Sequence, residues 1–338
     1  MAIKNEIVEI KNLAIGYHGK GKKYRSVYRN INLEAARGEM IALVGENGIG
    51  KSTLLRTLAR LQEKSAGSIR FRGKEQHLYS RRDYARLVSF VSTEIVNVHN
   101  LKVFDLVALG RFPHTNWLGK LNEHDRSLVI ESLNLVGMNH MAQKNVSEIS
   151  DGERQRVMIA RTLAQDTPVI ILDEPTAFLD LPNKYELIQL LSTLADEENK
   201  TVIFSIHDLN IALHQADKIW LMHPDRIISG APEDLILNNV FDDLFPKSRL
   251  HFDKRKGDYL FRKKITSCIS LEGKGLKHYW TKKALERIHY KVVEKSNDMH
   301  LVVGEQKDEP WTLYKNGTKF EFISLYDVTL FLKKLINH

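Results

Sequence analysis

The 338-residue chain has a single cysteine, Cys268. One thiol excludes an internal disulfide and a cysteine-built metal cluster, and its ordinary role is that of a small filler in a strand. Long apolar runs are also missing. None approaches the ~18–20 residues that a membrane helix needs. The opening Met-Ala-Ile-Lys-Asn-Glu lacks the apolar core of a signal peptide, so the chain is expected to stay in the cytosol. The last quarter of the chain, from residue 246 on, has no aromatic motif of the kind that stacks RNA bases. Excess positive charge is missing from most of the chain. Residues 1–245 hold 30 Lys and Arg against 31 Asp and Glu, whereas residues 246–338 hold 20 against 11. The net charge of +8 therefore belongs to the last quarter, which implies a separate module with an anionic neighbour.

What the chain does have is a glycine-rich stretch, Gly45-Glu46-Asn47-Gly48-Ile49-Gly50-Lys51-Ser52-Thr53. Two glycines five apart, then Lys and Ser, fit the phosphate-binding loop pattern. Met40 to Val44 before it is a short apolar run, the signature of a buried strand, and Ser52 to Leu58 after it reads as a helix opening. Glycines let backbone N–H groups curl around phosphate oxygens, and the helix N-terminus adds a fixed positive potential. Lys51 is expected to reach the β- and γ-phosphates, and Ser52 to place its hydroxyl on Mg²⁺. A nucleotide is the implied ligand.

The rest of the chain supplies strands that end in polar groups. Glu6 to Ala14 alternates as a strand does, and Ile31 to Ala35 reads as another. Tyr17 falls in a loop between them. Its ring either stacks on an adenine or is an ordinary surface residue, with Tyr24 and Tyr28 as rivals. Ser68 to Gly73 reads as an exposed strand with its turn. Leu87 to Val91 is an apolar strand ending at Ser92-Thr93-Glu94. Val103 to Leu109 and Leu128 to Val136 suit helices, the second stopping at Gly137. The loop Gly110 to Trp117 between them carries aromatic and cationic side chains that either pack under the helices or serve a partner.

Ser150-Asp151-Gly152-Glu153 opens the helix Arg154 to Ala164. Ser at the N-cap with Glu three residues on is a capping box, which by itself accounts for the tetrapeptide. Val169 to Leu172 is a buried strand with Asp173 and Glu174 at its C-terminal end, where ligands bind in an open α/β sheet. Asp173 suits Mg²⁺ held through water, and Glu174 suits the polarising of an attacking water. Thr201 to Ile206 ends in the same way, at His207-Asp208. A lone strand-end His is ordinarily structural. Here it joins a set of polar groups that converge on one sheet edge.

Together these motifs resemble the ATP-binding subunits of ABC transporters over roughly residues 6–245. The phosphate loop lies at 45–53, the signature at 149–155 and the acidic strand at 169–174. Phe178-Leu179-Asp180 matches the D-loop and His207 the switch, all in the family's order. Gly110-Arg111-Phe112-Pro113 and the helices around it resemble the importers of ferric siderophores, haem and vitamin B12. The resemblance implies an α/β fold, a P-loop ATPase core with a β subdomain and a helical subdomain, with ATP and Mg²⁺ as cofactors. It implies a homodimer of ATP-binding subunits meeting head to tail. Each ATP then lies between one copy's phosphate loop and the other's signature (Ser150, Asp151, Gly152, Glu153), with Ser150 and Gly152 on the γ-phosphate. Asp173 serves Mg²⁺, Glu174 is the general base, His207 holds the γ-phosphate, Asp180 links the two sites and Tyr17 stacks on adenine. The dimer drives a separate transmembrane permease, with a substrate-binding protein, from the inner face of the cell membrane.

Two departures stand out. Many relatives place Gln at the end of the strand Leu87–Val91; that slot holds Thr93, with Glu94 next. The expectation is that one of these two serves Mg²⁺, directly or through water. The signature reads Ser-Asp-Gly where Ser-Gly-Gly is usual. The Asp151 carboxylate repels a γ-phosphate unless it points outward or pairs with a cation.

Pro246 marks the expected boundary, giving domains 1–245 and 246–338. The second reads as a small basic α+β domain. Its elements are a strand Ile265 to Leu271, a helix Thr281 to Ile288, strands Lys291 to Lys295 and His300 to Glu305, and an Asn-Gly hairpin Thr312 to Phe320. Ser324 and Asp327 cap a last helix. Its charge fits anionic lipid headgroups, a regulatory anion, nucleic acid, or a solvated surface on a dimer-stabilising domain. Three functional readings follow. The first is an ATPase powering import of an iron chelate, haem or cobalamin. The second is a soluble ABC-type ATPase acting on nucleic acid. The third is a weakly hydrolysing regulatory module, motivated by Thr93 and Asp151. The single cassette and the Gly110–Trp117 loop favour the first, in which nucleic acid is not a partner.

Overall fold

The computed structural model describes residues 6–18, 24–92, 100–116, 119–244, 250–261, 264–296, 298–304, 306 and 308–336. The chain begins with β1 (Glu6–His18), β2 (Tyr24–Ala36), β3 (Met40–Gly45), α1 (Lys51–Leu58), β4 (Ala66–Phe71), β5 (Lys74–Glu75), α2 (Arg81–Ala85) and β6 (Val88–Val91). Three helices follow, α3 (Val103–Ala108), α4 (Glu123–Leu135) and α5 (Asp151–Ala164). Strands and helices then alternate through β7 (Val169–Leu172), α6 (Leu181–Asp196), β8 (Thr201–Ser205), α7 (Leu209–Gln215), β9 (Lys218–Met222), β10 (Ile227–Gly230) and α8 (Pro232–Leu237). Two compact units emerge. One comprises Met1–Ser248 with Phe252–Tyr259, the other Arg249–His251 with Leu260–His338.

The first unit is built on a six-stranded sheet in the order β10-β9-β3-β8-β7-β6. From β9 to β6 its strands are parallel. Parallel strands are covered on both faces, which is why β3, β7 and β8 read as continuous apolar runs. Ile41, Leu43, Val169, Ile171 and Ile203 face one side, in a core shared with Leu54, Leu55 and Leu58 of α1 and with the antiparallel sheet β2-β1-β4-β5. Met40, Ala42, Val44, Ile170, Leu172, Val202 and Phe204 face the other, in a core shared with helices α3 to α7. Burying a Val, Leu, Ile, Met or Phe side chain in these cores contributes about 1.5–3 kcal/mol relative to leaving it exposed.

In the first unit the structure departs from expectation at Tyr17 and at the strand Ser68–Gly73. Tyr17 lies in β1 and not in a loop, because Gly16 and Tyr17 pair with Ser26 and Arg25 of β2. Its Gly, His and Lys neighbours look like a loop only when the partner strand is ignored. The strand Ser68–Gly73, read as exposed, buries Ile69 and Phe71 completely.

The segment Val240–Asp243 leads to a hairpin of β11 (Leu250–Asp253) and β12 (Asp258–Phe261). The Phe252 ring centroid lies 5.0 Å from that of Phe241 and 5.2 Å from that of Tyr259, both pairs tilted, and the Tyr259 hydroxyl donates to the Phe241 carbonyl at 2.6 Å. These aromatics make residues 252–259 part of the first unit.

The second unit contains β13 (Ser267–Glu272), α9 (Gly275–Arg287), β14 (Tyr290–Val293), β15 (Met299–Val303), β16 (Trp311–Lys315), β17 (Thr318–Phe322) and α10 (Leu325–Ile336). Its sheet runs β14-β13-β15-β16-β17. Ile269, Leu301 and Leu313 pack against Leu285, Ile288, Val328 and Leu332 of the helices. Asn316 and Gly317 both take positive φ, as the tight hairpin turn requires. Cys268 lies in β13 but is exposed and fills nothing: Ile269 faces the core, so its neighbour faces the other way. Helix α9 starts six residues before the expected Thr281, because exposed Leu276, Tyr279 and Trp280 blur its apolar stripe. Among the described residues no helix is long and apolar enough to cross a membrane.

Candidate functional site

Because β3, β7 and β8 are parallel neighbours, their C-terminal ends meet at one edge of the sheet. That edge brings together the loop after Gly45, the acids after Leu172 and His207. The loop needs its glycines. Gly50 has φ 118°, and a Cβ there would lie 2.6 Å from Val27 Cγ1. Lys51 opens α1 and is 5% exposed; its Nζ donates to the Gly45 carbonyl at 2.9 Å and the Glu46 carbonyl at 3.1 Å. Burial pulls the Lys51 ammonium below its usual range, and the negative charges of Glu174 and Asp173 oppose that shift.

A cavity of ≈ 350 Å³ is lined by Asn47, Gly48, Gly50, Lys51, Ser52, Thr53, Glu174 and His207. A second, of ≈ 330 Å³, shares Gly48, Gly50 and Thr53 and adds Ile49, Tyr17 and Arg25. Tyr17 is 43% exposed there, with the Arg25 guanidinium 5.9 Å from its ring centroid. Its rival Tyr28 is buried with its hydroxyl on the His223 carbonyl, and the Tyr24 side chain lies outside the described residues. A third cavity, of ≈ 470 Å³, has Glu46, Asn47, His207, Asp208, Asp258 and Tyr259 on its walls.

The two strand-end acids are held differently. Asp173 is 2% exposed and accepts from the Ser205 hydroxyl at 2.7 Å. The Glu174 N–H donates to the same Ser205 oxygen at 2.8 Å. Glu174 has φ 47°, a left-handed conformation that costs a non-glycine residue about 1–3 kcal/mol and clusters at functional sites. That turn brings Glu174 Oε1 to 2.6 Å from His207 Nε2. Sequence reasoning passed over Ser205. The available signal was a hydroxyl at the end of an otherwise apolar strand.

Ser150, Asp151, Gly152 and Glu153 line none of these three cavities. They form the first turn of α5, where Ser150 Oγ accepts from the Glu153 N–H at 3.3 Å and Glu153 Oε2 accepts from the Ser150 N–H at 2.8 Å. The Ser150 N–H and the Ser150 hydroxyl, which donates to the same Oε2 at 2.9 Å, hold the Glu153 carboxyl below the usual range and commit it to the helix cap. Asp151 accepts from Arg154 Nη1 at 2.7 Å, so the unusual signature carboxylate is paired with a cation. A Cβ on Gly152 would lie 3.4 Å from the Phe178 carbonyl, which places the turn at Phe178 against the start of α5. Asp180 caps α6 by accepting from the Asn183 N–H, and Arg156 donates to the Asn183 side chain. Thr93, Glu94 and Trp117 lie outside the described residues.

The loop Gly110–Asn116 is largely packed. Arg111 is buried, donating to Asp125 Oδ1 at 2.9 Å and to the Ala164 carbonyl at 2.8 Å. Arg82 and Arg86 both donate to the Pro113 carbonyl. Phe112 remains 70% exposed.

Among the described residues no set of three or more His, Cys, Asp or Glu is spaced to hold a metal by itself. The Ser52 hydroxyl and the Asp173 carboxylate are hard oxygen donors. That pair suits Mg²⁺, which is commonly bound by one or two protein groups and completed by substrate phosphates and water.

Comparison with known proteins fits this geometry. Residues 28–177 match the ABC transporter family, and residues 266–333 match the iron ABC transporter C-terminal domain. The chain is 40% identical to an uncharacterized ABC transporter ATP-binding protein of Methanocaldococcus jannaschii, over 73% of this chain and 84% of that protein. It is 38% identical to the iron(3+)-hydroxamate import ATP-binding protein of Bacillus subtilis, over 70% and 86%. Among solved structures, a dimeric ATP-binding cassette in a post-hydrolysis state with ADP and Pi aligns at a TM-score of 0.60 and 25% identity, covering 67% of this chain and 98% of that one.

Proposed function

We propose, for a chain that belongs to the ABC transporter family of ATP-binding proteins, that its ATP hydrolysis powers import of an iron chelate of the siderophore type through a separate membrane permease. The observation that carries the cargo class is the iron ABC transporter C-terminal domain at residues 266–333. Relatives named for iron(3+)-hydroxamate and ferric enterobactin transport support it. Haem and cobalamin remain finer alternatives that neither observation favours.

At the site, the phosphate-loop N–H groups and Lys51 would hold the β- and γ-phosphates, and Tyr17 would stack on the base. Ser52 and Asp173 would hold Mg²⁺, which when bound neutralises phosphate charge. Thr93 or Glu94 would complete that shell. Glu174 would orient and deprotonate the attacking water, with His207 keeping its carboxylate in place and reading the γ-phosphate. Ser150 and Gly152 of a second copy would close over the nucleotide, with Asp180 beside them. Arg154, paired with Asp151, would offset the carboxylate's charge beside that phosphate. The assembly would sit on the inner face of the membrane with a substrate-binding protein delivering the chelate.

The test is a pull-down of tagged protein from gently solubilised membranes, with uptake of radioactive iron chelate measured in the same cells. A polytopic permease in the eluate and uptake lost in a Lys51→Ala strain are the expected results. Bound RNA with unchanged uptake would overturn the reading and move attention to the basic C-terminal unit.

A further inference from the structure

Ser205 is a fully buried residue at the end of β8. Its hydroxyl touches both strand-end acids, donating to Asp173 Oδ1 and accepting the Glu174 N–H. The register explains why. Leu172 of β7 stands opposite Phe204 of β8, so Ser205 lies one step beyond, beside Asp173. Strain explains what the contact is for. The left-handed backbone at Glu174 is unfavourable for a residue with a Cβ, and a partly buried N–H without an acceptor is unfavourable as well. One oxygen satisfies that N–H and, through its own proton, fixes the neighbouring carboxylate.

We propose that Ser205 is a positioning residue for ATP hydrolysis. Its hydroxyl holds the Asp173 carboxylate and the Glu174 turn in one relative geometry. The metal-side acid and the water-side acid therefore cannot drift apart. An apolar residue at this position would keep the strand and lose that coupling. The inference rests on the roles proposed above for Asp173 and Glu174.

The experiment uses the full chain and four variants: Ser205→Ala, Ser205→Thr, Ser205→Val and Glu174→Gln. Thr and Val have nearly the same volume and differ in the hydroxyl, so their contrast separates hydrogen bonding from crowding. The expected kcat falls about 10-fold or more in Ala relative to Ser and in Val relative to Thr, the loss of one hydrogen bond to a charged group. KM for ATP stays within about 3-fold in all four, because the phosphate loop is untouched. Binding of Mn²⁺ in the presence of ADP, read by electron paramagnetic resonance, weakens about 10-fold in Ala and Val and not in Thr.

Equal losses in Thr and Val, or wild-type kcat and Mn²⁺ affinity in Ala, would overturn the proposal. Should Thr and Val fail to fold, the Ser-to-Ala contrast in kcat against KM and in Mn²⁺ affinity decides alone. Turnover surviving in Glu174→Gln would refute the assignment of the base itself, an outcome distinct from any behaviour of the Ser205 variants.

Discussion

Glu174→Gln is expected to lower ATP turnover by about 10²–10⁴-fold, the range for loss of a general base, with ATP affinity changed by less than about 3-fold. Gln keeps the length and planarity of the side chain. It retains a carbonyl oxygen in place of the Oε1 that meets His207. The backbone turn, held by Ser205, is unaffected. What disappears is the negative charge at the wall of the phosphate-loop cavity. ATP binding survives because the loop N–H groups and Lys51 are untouched. With binding intact and hydrolysis blocked, the ATP-bound homodimer should accumulate and elute at twice the monomer mass in size-exclusion chromatography. Single-turnover hydrolysis measured beside nucleotide binding checks both halves. Turnover within about 5-fold of wild type would place the base elsewhere.

The second large effect is on stability. Asp125→Asn is expected to cost about 3–5 kcal/mol, since it leaves the Arg111 charge buried without its partner. For a unit of this size that corresponds to a fall in Tm of roughly 10 °C. Arg111 also holds the Ala164 carbonyl, and Asp125 Oδ2 accepts from the N–H of Asn122, the N-cap of α4. The pair thus joins α4 and α5 to the loop after α3, and α5 opens on the turn Ser150–Glu153. The pH dependence has a definite sign. Burial pushes the Asp125 carboxyl up, but the Asn122 N–H and the Arg111 guanidinium outweigh it, so the group ends below the usual range. A depressed carboxyl contributes stability that is present above its unfolded pKa of about 4 and is lost as pH falls through the folded value. Thermal unfolding between pH 2 and pH 6 should therefore show an acid limb in the wild type that is flatter in Asp125→Asn. A variant as stable as wild type at pH 7 would show that the ion pair contributes nothing.

Much of this was legible from residues alone, for a physical reason. The phosphate loop, the acid pair and the capping boxes are local patterns, each contained within a few residues, and buried parallel strands announce themselves as apolar runs. Groups joined only by the fold were not legible. Ser205 meets Asp173 and Glu174 across 32 and 31 residues, and Arg111 meets Ala164 across 53. Tyr17 looked like a loop residue because its strand partner Arg25 lies beyond a polar break. The pairing of Asp151 with Arg154 was available at helical spacing: three residues apart on a helix are neighbours.

The aromatic hairpin bears on how such a protein is inherited. Phe252 and Tyr259 close over Phe241, and Tyr259 also stands on the wall of a cavity that reaches His207. A recombination event that traded C-terminal modules between relatives would have to break the chain beyond Tyr259. A breakpoint upstream would carry off residues 252–259, which belong with the ATPase unit, so that unit and this segment should travel through descent as one heritable block.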